Sequence, residues 1–147
     1  MAGESVGLDS LGPQELAEVG KQLEGEINGF IQNALTLQQT AGKFAAAGQS
    51  VEYLQGQKKG QPLLLPLTES LYVSGTLESV ESVLLEIGTG YFVERDLEGG
   101  IDYCRRKVLL VRDKTEQLSQ LIKSRQTALA QVNALLEQKV GGQAGQA

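Results

Sequence analysis

The side chains that could do chemistry are few: one cysteine, two acidic pairs, one glycine-rich turn and one basic run, with no histidine anywhere in the chain. A thiol acts as a nucleophile or metal ligand when a cation, a base or a second cysteine lowers its pKa. Cys104 has no CxxC partner and falls on an apolar helical stripe, so it reads as a packed side chain. The absence of histidine removes the commonest general base and the commonest metal ligand. Glu24 with Glu26, and Glu78 with Glu81, could divide acid and base roles, but neither pair has a complementary donor set, and both read as solvated faces. Gly88-Thr89-Gly90 could cradle a phosphate. The Lys-Ser/Thr of a P-loop and the third glycine of a dinucleotide fingerprint are both missing, which leaves a hairpin turn. Arg105, Arg106 and Lys107 could hold an anion and read instead as a solvated helix face. No catalytic, metal-binding or cofactor-binding residue is expected, and the chain is not read as an enzyme.

The elements that carry these residues are bounded by composition. The 147 residues, 41% hydrophobic, with three Phe, four Tyr and no Trp, are the length of one domain but hold little with which to fill a large compact core. A net charge of −5 argues against general binding to phosphate backbones, so nucleic acid is not an expected partner. A single cysteine excludes an internal disulfide and suits a reducing compartment. The segment Met1 to Gly7 lacks the basic start and apolar run of a signal peptide, and no stretch has the apolar length of a membrane span. A cytosolic protein without a membrane partner is expected.

Two regions carry heptads. From Pro13, Leu16, Leu23, Phe30, Leu37, Phe44 and Val51 recur every seven residues, and the companion position holds Gly20, Ile27, Ala34, Ala41 and Gly48. Pro13 with Glu15 and Glu18 marks a helix start. Five interior glycines, each costing about 1 kcal/mol against alanine, mean that this helix, placed at 13–57, needs a partner. A second seam over 97–140 runs Ile101, Cys104, Val108, Val111, Thr115, Leu118, Ile122, Arg125, Leu129, Val132, Leu136, Lys139. Folding the chain back sets the two helices antiparallel, with Gly20, Ala34, Ala41 and Gly48 facing Val132, Leu118, Val111 and Cys104. Small then opposes large, as close packing requires. Charge agrees, with −3 over Pro13 to Leu54 and +3 over Leu97 to Val140. Arg125 and Lys139 occupy seam positions and are expected to loosen that half of the pair. The ends, 1–12 and 141–147, are rich in Gly, Ser, Ala and Gln and are expected to be disordered.

Between the helices, 61–95 follows a different grammar. Pro62 and Pro66 forbid a central helix, and short β-favouring runs predict strands at Leu63 to Leu67, Leu71 to Leu77, Val83 to Ile87 and Tyr91 to Arg95. Two hairpins result. Such hairpins are marginal alone, their edges invite pairing, and the helical seam is already occupied. Other chains must therefore complete the sheet.

The stretch PLTESLYVSGTLESVESVLLEIGTGYFVE, beginning at Pro66, resembles the central region of α-class subunits of the prefoldin family, in particular the eukaryotic ones. The helices resemble the family only in length and heptads, and Ser74 stands where members commonly have proline. The resemblance implies an α+β fold: a long antiparallel two-helix coiled coil with two central β-hairpins that join an inter-subunit β-barrel platform, all within a single domain. It implies a hetero-hexamer of two α-class and four β-class subunits that captures unfolded proteins, chiefly actin and tubulin, without ATP or another cofactor and delivers them to the cytosolic group II chaperonin. Carried onto this sequence, the assembly surface would be Leu65, Leu67, Leu71, Val73, Leu85, Ile87, Tyr91 and Val93. The client surface would be the open end of the coiled coil at Leu11, Leu16, Val19, Leu135, Leu136 and Val140, with Leu16 and Leu136 equally readable as the last seam layer. Loosening by Arg125 and Lys139 would let that end splay. Two other readings stay open on the residues alone: a coiled-coil adaptor or scaffold in transcriptional or cytoskeletal complexes, which leaves the hairpins idle, and the helical arm of a nucleic-acid enzyme, which the acidic charge disfavours.

Overall fold

The computed structural model describes residues 7–145. Its elements run in the order of a 3-10 turn at Leu8–Ser10, helix α1 (Pro13–Leu54), strands β1 (Pro62–Pro66), β2 (Tyr72–Thr76), β3 (Ser82–Gly88) and β4 (Tyr91–Asp96), and helix α2 (Leu97–Ala144). Two compact units are distinguished, one from the described parts of Met1–Gln38 and Asp113–Ala147, the other from Gln39–Arg112. No described helix is long and apolar enough to cross a membrane.

Helix α1 starts where its sequence can satisfy the orphan N–H groups of a first turn. Pro13 occupies the first helical position, and the Glu15 carboxylate reaches back 2.9 Å to accept from the Gly12 N–H, half of a capping box. The helix ends at Leu54, three residues before the expected Gln57, because Gln55, Gly56 and Gln57 each donate to the carbonyl three residues back and so unwind the last turn. Helix α2 follows β4 without a linker. Asp96 closes the strand and caps the helix, its carboxylate accepting from the Gly99 N–H at 2.8 Å. At its other end α2 runs to Ala144, past the expected Val140, since each residue added to a formed helix gains a backbone bond without new nucleation. The expectation of disordered ends therefore needs amendment at Leu8–Ser10, which forms the 3-10 turn, and at Gly141 to Ala144, which are helical; for 1–6 and 146–147 it lies outside the described residues.

In the chain-terminal unit the helices meet antiparallel: a Cβ built on Gly20 would sit 3.6 Å from Val132 Cγ1, in ordinary contact. Leu16 is 0% and Val132 1% exposed, so this end of the seam is dry. In the hairpin-bearing unit a Cβ on Gly48 would come within 3.2 Å of Cys104 Cβ, and Phe44 meets Tyr103 edge to face at 6.4 Å between ring centroids. Gly48 is small because Cys104 faces it closely, whereas Gly20 leaves room for a methyl group against Val132. Gly25, Gly29 and Gly42 have no such reason, since a Cβ on any of them would meet nothing within 4 Å. Converting these three to alanine is expected to stabilise the chain by roughly 2 kcal/mol in urea unfolding, through helix propensity alone.

The strands form two separate antiparallel hairpins, β1 with β2 and β3 with β4. The first is registered by Leu65 opposite Val73, and its loop is tied by Thr68, whose hydroxyl accepts from the Leu71 N–H at 3.1 Å. The second is registered by Leu85 opposite Val93, shifts register between Glu86 and Gly88, and turns through Gly90 at φ +76°. Among the described residues the two hairpins do not close into a barrel.

Candidate interaction surfaces

The hairpins expose many large apolar side chains, among them Leu64, Leu84 and Tyr91. In a two-stranded sheet every strand is an edge, with a row of unpaired N–H and C=O groups available to another chain. Of the residues expected to form the assembly surface, Leu65, Leu67, Leu71, Val73, Ile87 and Tyr91 are exposed, Tyr91 most of all at 74%. Leu85 and Val93 are half-buried. Their face of the second hairpin turns toward the start of α2, where a Cβ on Gly100 would lie 3.0 Å from Val83 Cγ2 and 3.9 Å from Leu85 Cδ2. The structure also exposes four large side chains on the opposite face that alternation alone does not assign: Leu64, Tyr72, Leu84 and Phe92. Their signal in the sequence is the unbroken runs Leu63-Leu64-Leu65 and Val83-Leu84-Leu85, since a strand wetted on one face would alternate. Cross-strand pairing separates the two faces. One face pairs Leu65 with Val73 and Leu85 with Val93, with Val83 opposite Arg95 at its border; the other pairs Leu64 with Ser74, Leu84 with Glu94 and Phe92 with Glu86, with Pro66 opposite Tyr72.

At the end of the helical pair that carries the chain termini, Leu16 takes the seam reading and the two seam cations find partners. Leu16 has no exposed area, so it closes the seam and presents nothing to a ligand in this state. Leu11, Val19, Leu135 and Leu136 are half-buried and Val140 is exposed. Arg125, expected to loosen the seam, donates to Glu26 at 2.9 Å; the pair is substantially exposed and worth at most about 1 kcal/mol. Lys139, expected to loosen it too, donates its Nζ to the backbone carbonyls of Asp9, at 2.8 Å, and of Leu11. Both cations have partners outside the apolar seam, and the seam at Leu16 and Val132 is closed. The Lys139 contact fastens the 3-10 turn over α2, where Leu8, Asp9, Gln131, Ala134 and Leu135 line a shallow groove.

The residues with chemical potential are occupied structurally. Cys104 is 3% exposed beside Gly48, and burial pushes its thiol above the ordinary range. A buried, protonated thiol is inert. N-ethylmaleimide at neutral pH should therefore label Cys104 only after unfolding in urea, a difference read by intact mass. In the basic run, Arg106 pairs with Asp102 at 2.9 Å and Lys107 sits 5.5 Å above the Tyr103 ring. Glu26 serves Arg125, and Gly90 makes the second hairpin's turn.

Comparison with known proteins agrees with this geometry. The family model described as "Prefoldin subunit" matches residues 23–142. The chain is 34% identical to prefoldin subunit 5 of Arabidopsis thaliana, over 90% of this chain and 88% of that protein. It is 30% identical to a probable prefoldin subunit 5 of Drosophila melanogaster (92% and 81% covered) and 28% identical to human prefoldin subunit 5 (93% and 89%). Among solved structures, a chain in the cryo-EM structure of filamentous PFD from Methanocaldococcus jannaschii superposes with a TM-score of 0.55 at 18% identity, over 88% of this chain and 98% of that one.

Proposed function

The chain belongs to the prefoldin family, whose subunits are chaperones rather than enzymes and assemble with one another, and from that premise we propose the particular complex and the particular task. The complex is a hetero-hexamer in which this chain is one of two α-class subunits beside four β-class subunits, its two hairpins entering a shared β-barrel platform. The task is ATP-independent capture of unfolded actin and tubulin chains and their delivery to the cytosolic chaperonin.

One observation carries the reading: both hairpins are two-stranded, with free edges and large apolar side chains exposed, while each helix already has its seam partner. Exposed strands of this kind are an aggregation hazard unless other strands cover them. Burial of their side chains at roughly 25 cal/mol per Å² is a sufficient driving force for assembly. The client surface is the chain-terminal end of the helical pair, from Leu11, Val19, Leu135, Leu136 and Val140, with Leu16 closing the seam beneath them.

Native mass spectrometry of the chain co-expressed with candidate sister subunits tests the assembly, and a particle of six comparable chains is expected. A dimer, or a complex with unrelated proteins only, would replace this reading with that of a coiled-coil adaptor. The same particle should suppress aggregation of denatured actin, and one lacking residues 1–19 and 135–147 of this chain should suppress it less.

A further inference from the structure

The second hairpin sorts its charges by face. Cross-strand pairing sets Ser82 against Asp96, Leu84 against Glu94 and Glu86 against Phe92, so the three acids of its strands stand on one side. The other side pairs Leu85 with Val93 and Val83 with Arg95, and the charge it carries is the Arg95 guanidinium. That side overhangs the start of α2. Between them lies a cavity of about 310 Å³, walled by Leu85, Val93 and Arg95 from the hairpin and by Tyr103, Arg106 and Lys107 from the helix. Among the described residues no acid lines it. Part of the basic run of α2 is therefore the wall of a concave site with an apolar floor.

The three cations are not equally free. Arg106 is held by Asp102 at 2.9 Å. Arg95 donates to the carbonyl of its neighbour Glu94 at 3.2 Å, and Lys107, half-buried, lies 5.5 Å from the centre of the Tyr103 ring. Neither has an ion-pair partner among the described residues, in a chain whose net charge is −5. A cation partly removed from water beside apolar side chains carries a desolvation cost that a carboxylate in the cavity would offset. The shape and charge of the site thus fit a segment that brings an apolar side chain and an acid together.

Position names the occupant. Leu85 and Val93 also belong to the face that sister strands are proposed to cover, so the cavity is continuous with that interface. We infer that it is a selectivity pocket for the neighbouring sister subunit, which places an apolar side chain against Leu85, Val93 and Tyr103 and a carboxylate between Arg95 and Lys107. The inference rests on the proposed hexamer and deepens it, because it states the chemistry by which this position accepts one sister and refuses another. Charge complementarity of this kind governs partner choice more than raw affinity, and a sister with lysine or arginine at the matching place would meet two like charges.

The test uses the assembled complex. The carbodiimide EDC joins an amine to a carboxylate without a spacer, and peptide mass spectra are expected to show Lys107 linked to an Asp or Glu of a sister subunit. A link to a second copy of this chain, or none while other lysines of the complex react, overturns the pocket. In competition with wild type for a limited supply of tagged sister subunits, Arg95→Glu with Lys107→Glu should be incorporated about a hundred-fold less. Arg95→Met with Lys107→Met, which keeps the apolar stems, should be incorporated about ten-fold less. Far-UV circular dichroism of each lone chain reports whether its helices are intact, and if the reversed pair does not fold, the neutral pair and the cross-link decide. A neutral pair incorporated as well as wild type overturns the pocket alone. A wild-type chain that enters no six-chain particle overturns the hexamer and the pocket with it.

Discussion

Replacing Gly100 with leucine is expected to destabilise the hairpin-bearing unit by about 3 kcal/mol, the upper part of the usual range for forcing extra atoms into a packed site. Gly100 is buried where α1, α2 and the second hairpin come together. Its absent Cβ would stand 3.0 Å from Val83 Cγ2, 3.5 Å from Val51 Cγ1 and 3.9 Å from Leu85 Cδ2. Alanine asks Val83 to yield by a few tenths of an ångström and should cost about 1 kcal/mol. Leucine adds three more carbons, which fit only if the hairpin lifts from the helices. Urea unfolding followed by far-UV circular dichroism should give the order wild type, Gly100→Ala, Gly100→Leu. A Gly100→Leu chain as stable as wild type would mean that the hairpin is not seated there. The neighbouring Gly99 tests a different contact. A Cβ at that position would lie 2.6 Å from the Asp96 carboxylate oxygen, so Gly99→Ala should displace the cap of α2 and resemble Asp96→Ala, at about 1 kcal/mol.

The double change Leu65→Asp and Ile87→Asp should exclude the chain from its complex at micromolar concentration while leaving its helical content intact. Each side chain is about half exposed in the lone chain, so charge there costs little before assembly. Once sister strands cover the hairpins, each carboxylate would be desolvated without a partner, a penalty of several kcal/mol. Two such penalties amount to a loss of more than about a thousand-fold in association. The matching change on the opposite face, Leu64→Asp with Leu84→Asp, should be milder, under about ten-fold, because the partners across the strands there are Ser74 and Glu94 and that face tolerates water. Co-purification with tagged sister subunits reads both. Equal exclusion by the two doublets would show both faces covered; a reversed order would assign the barrel interior to Leu64 and Leu84.

Much of the architecture was legible because its signals are local or periodic. A seven-residue repeat states which side chains share a helix face, and the alternation of small and large residues between the two repeats led to an antiparallel pairing in which Gly20 meets Val132 and Gly48 meets Cys104. Pro62, Pro66 and Gly90 punctuate the strands through backbone geometry that no tertiary context can override. What periodicity cannot state is what stands opposite a residue that leaves the pattern. Arg125 and Lys139 read as faults in the seam, yet each reaches past its border, one to Glu26 and the other to carbonyls near the chain's beginning.

The order of elements, the pairing of the helices and the need of the hairpins for other strands were thus determined by the amino-acid sequence itself, since each follows from side-chain spacing and backbone preference within a few residues. Only the tertiary structure decided that Leu16 is sealed, that Gly100 is the point where three elements crowd together, and that the N-terminal turn lies on α2. Those outcomes depend on distances between residues far apart in the chain, and such distances exist only after it has folded.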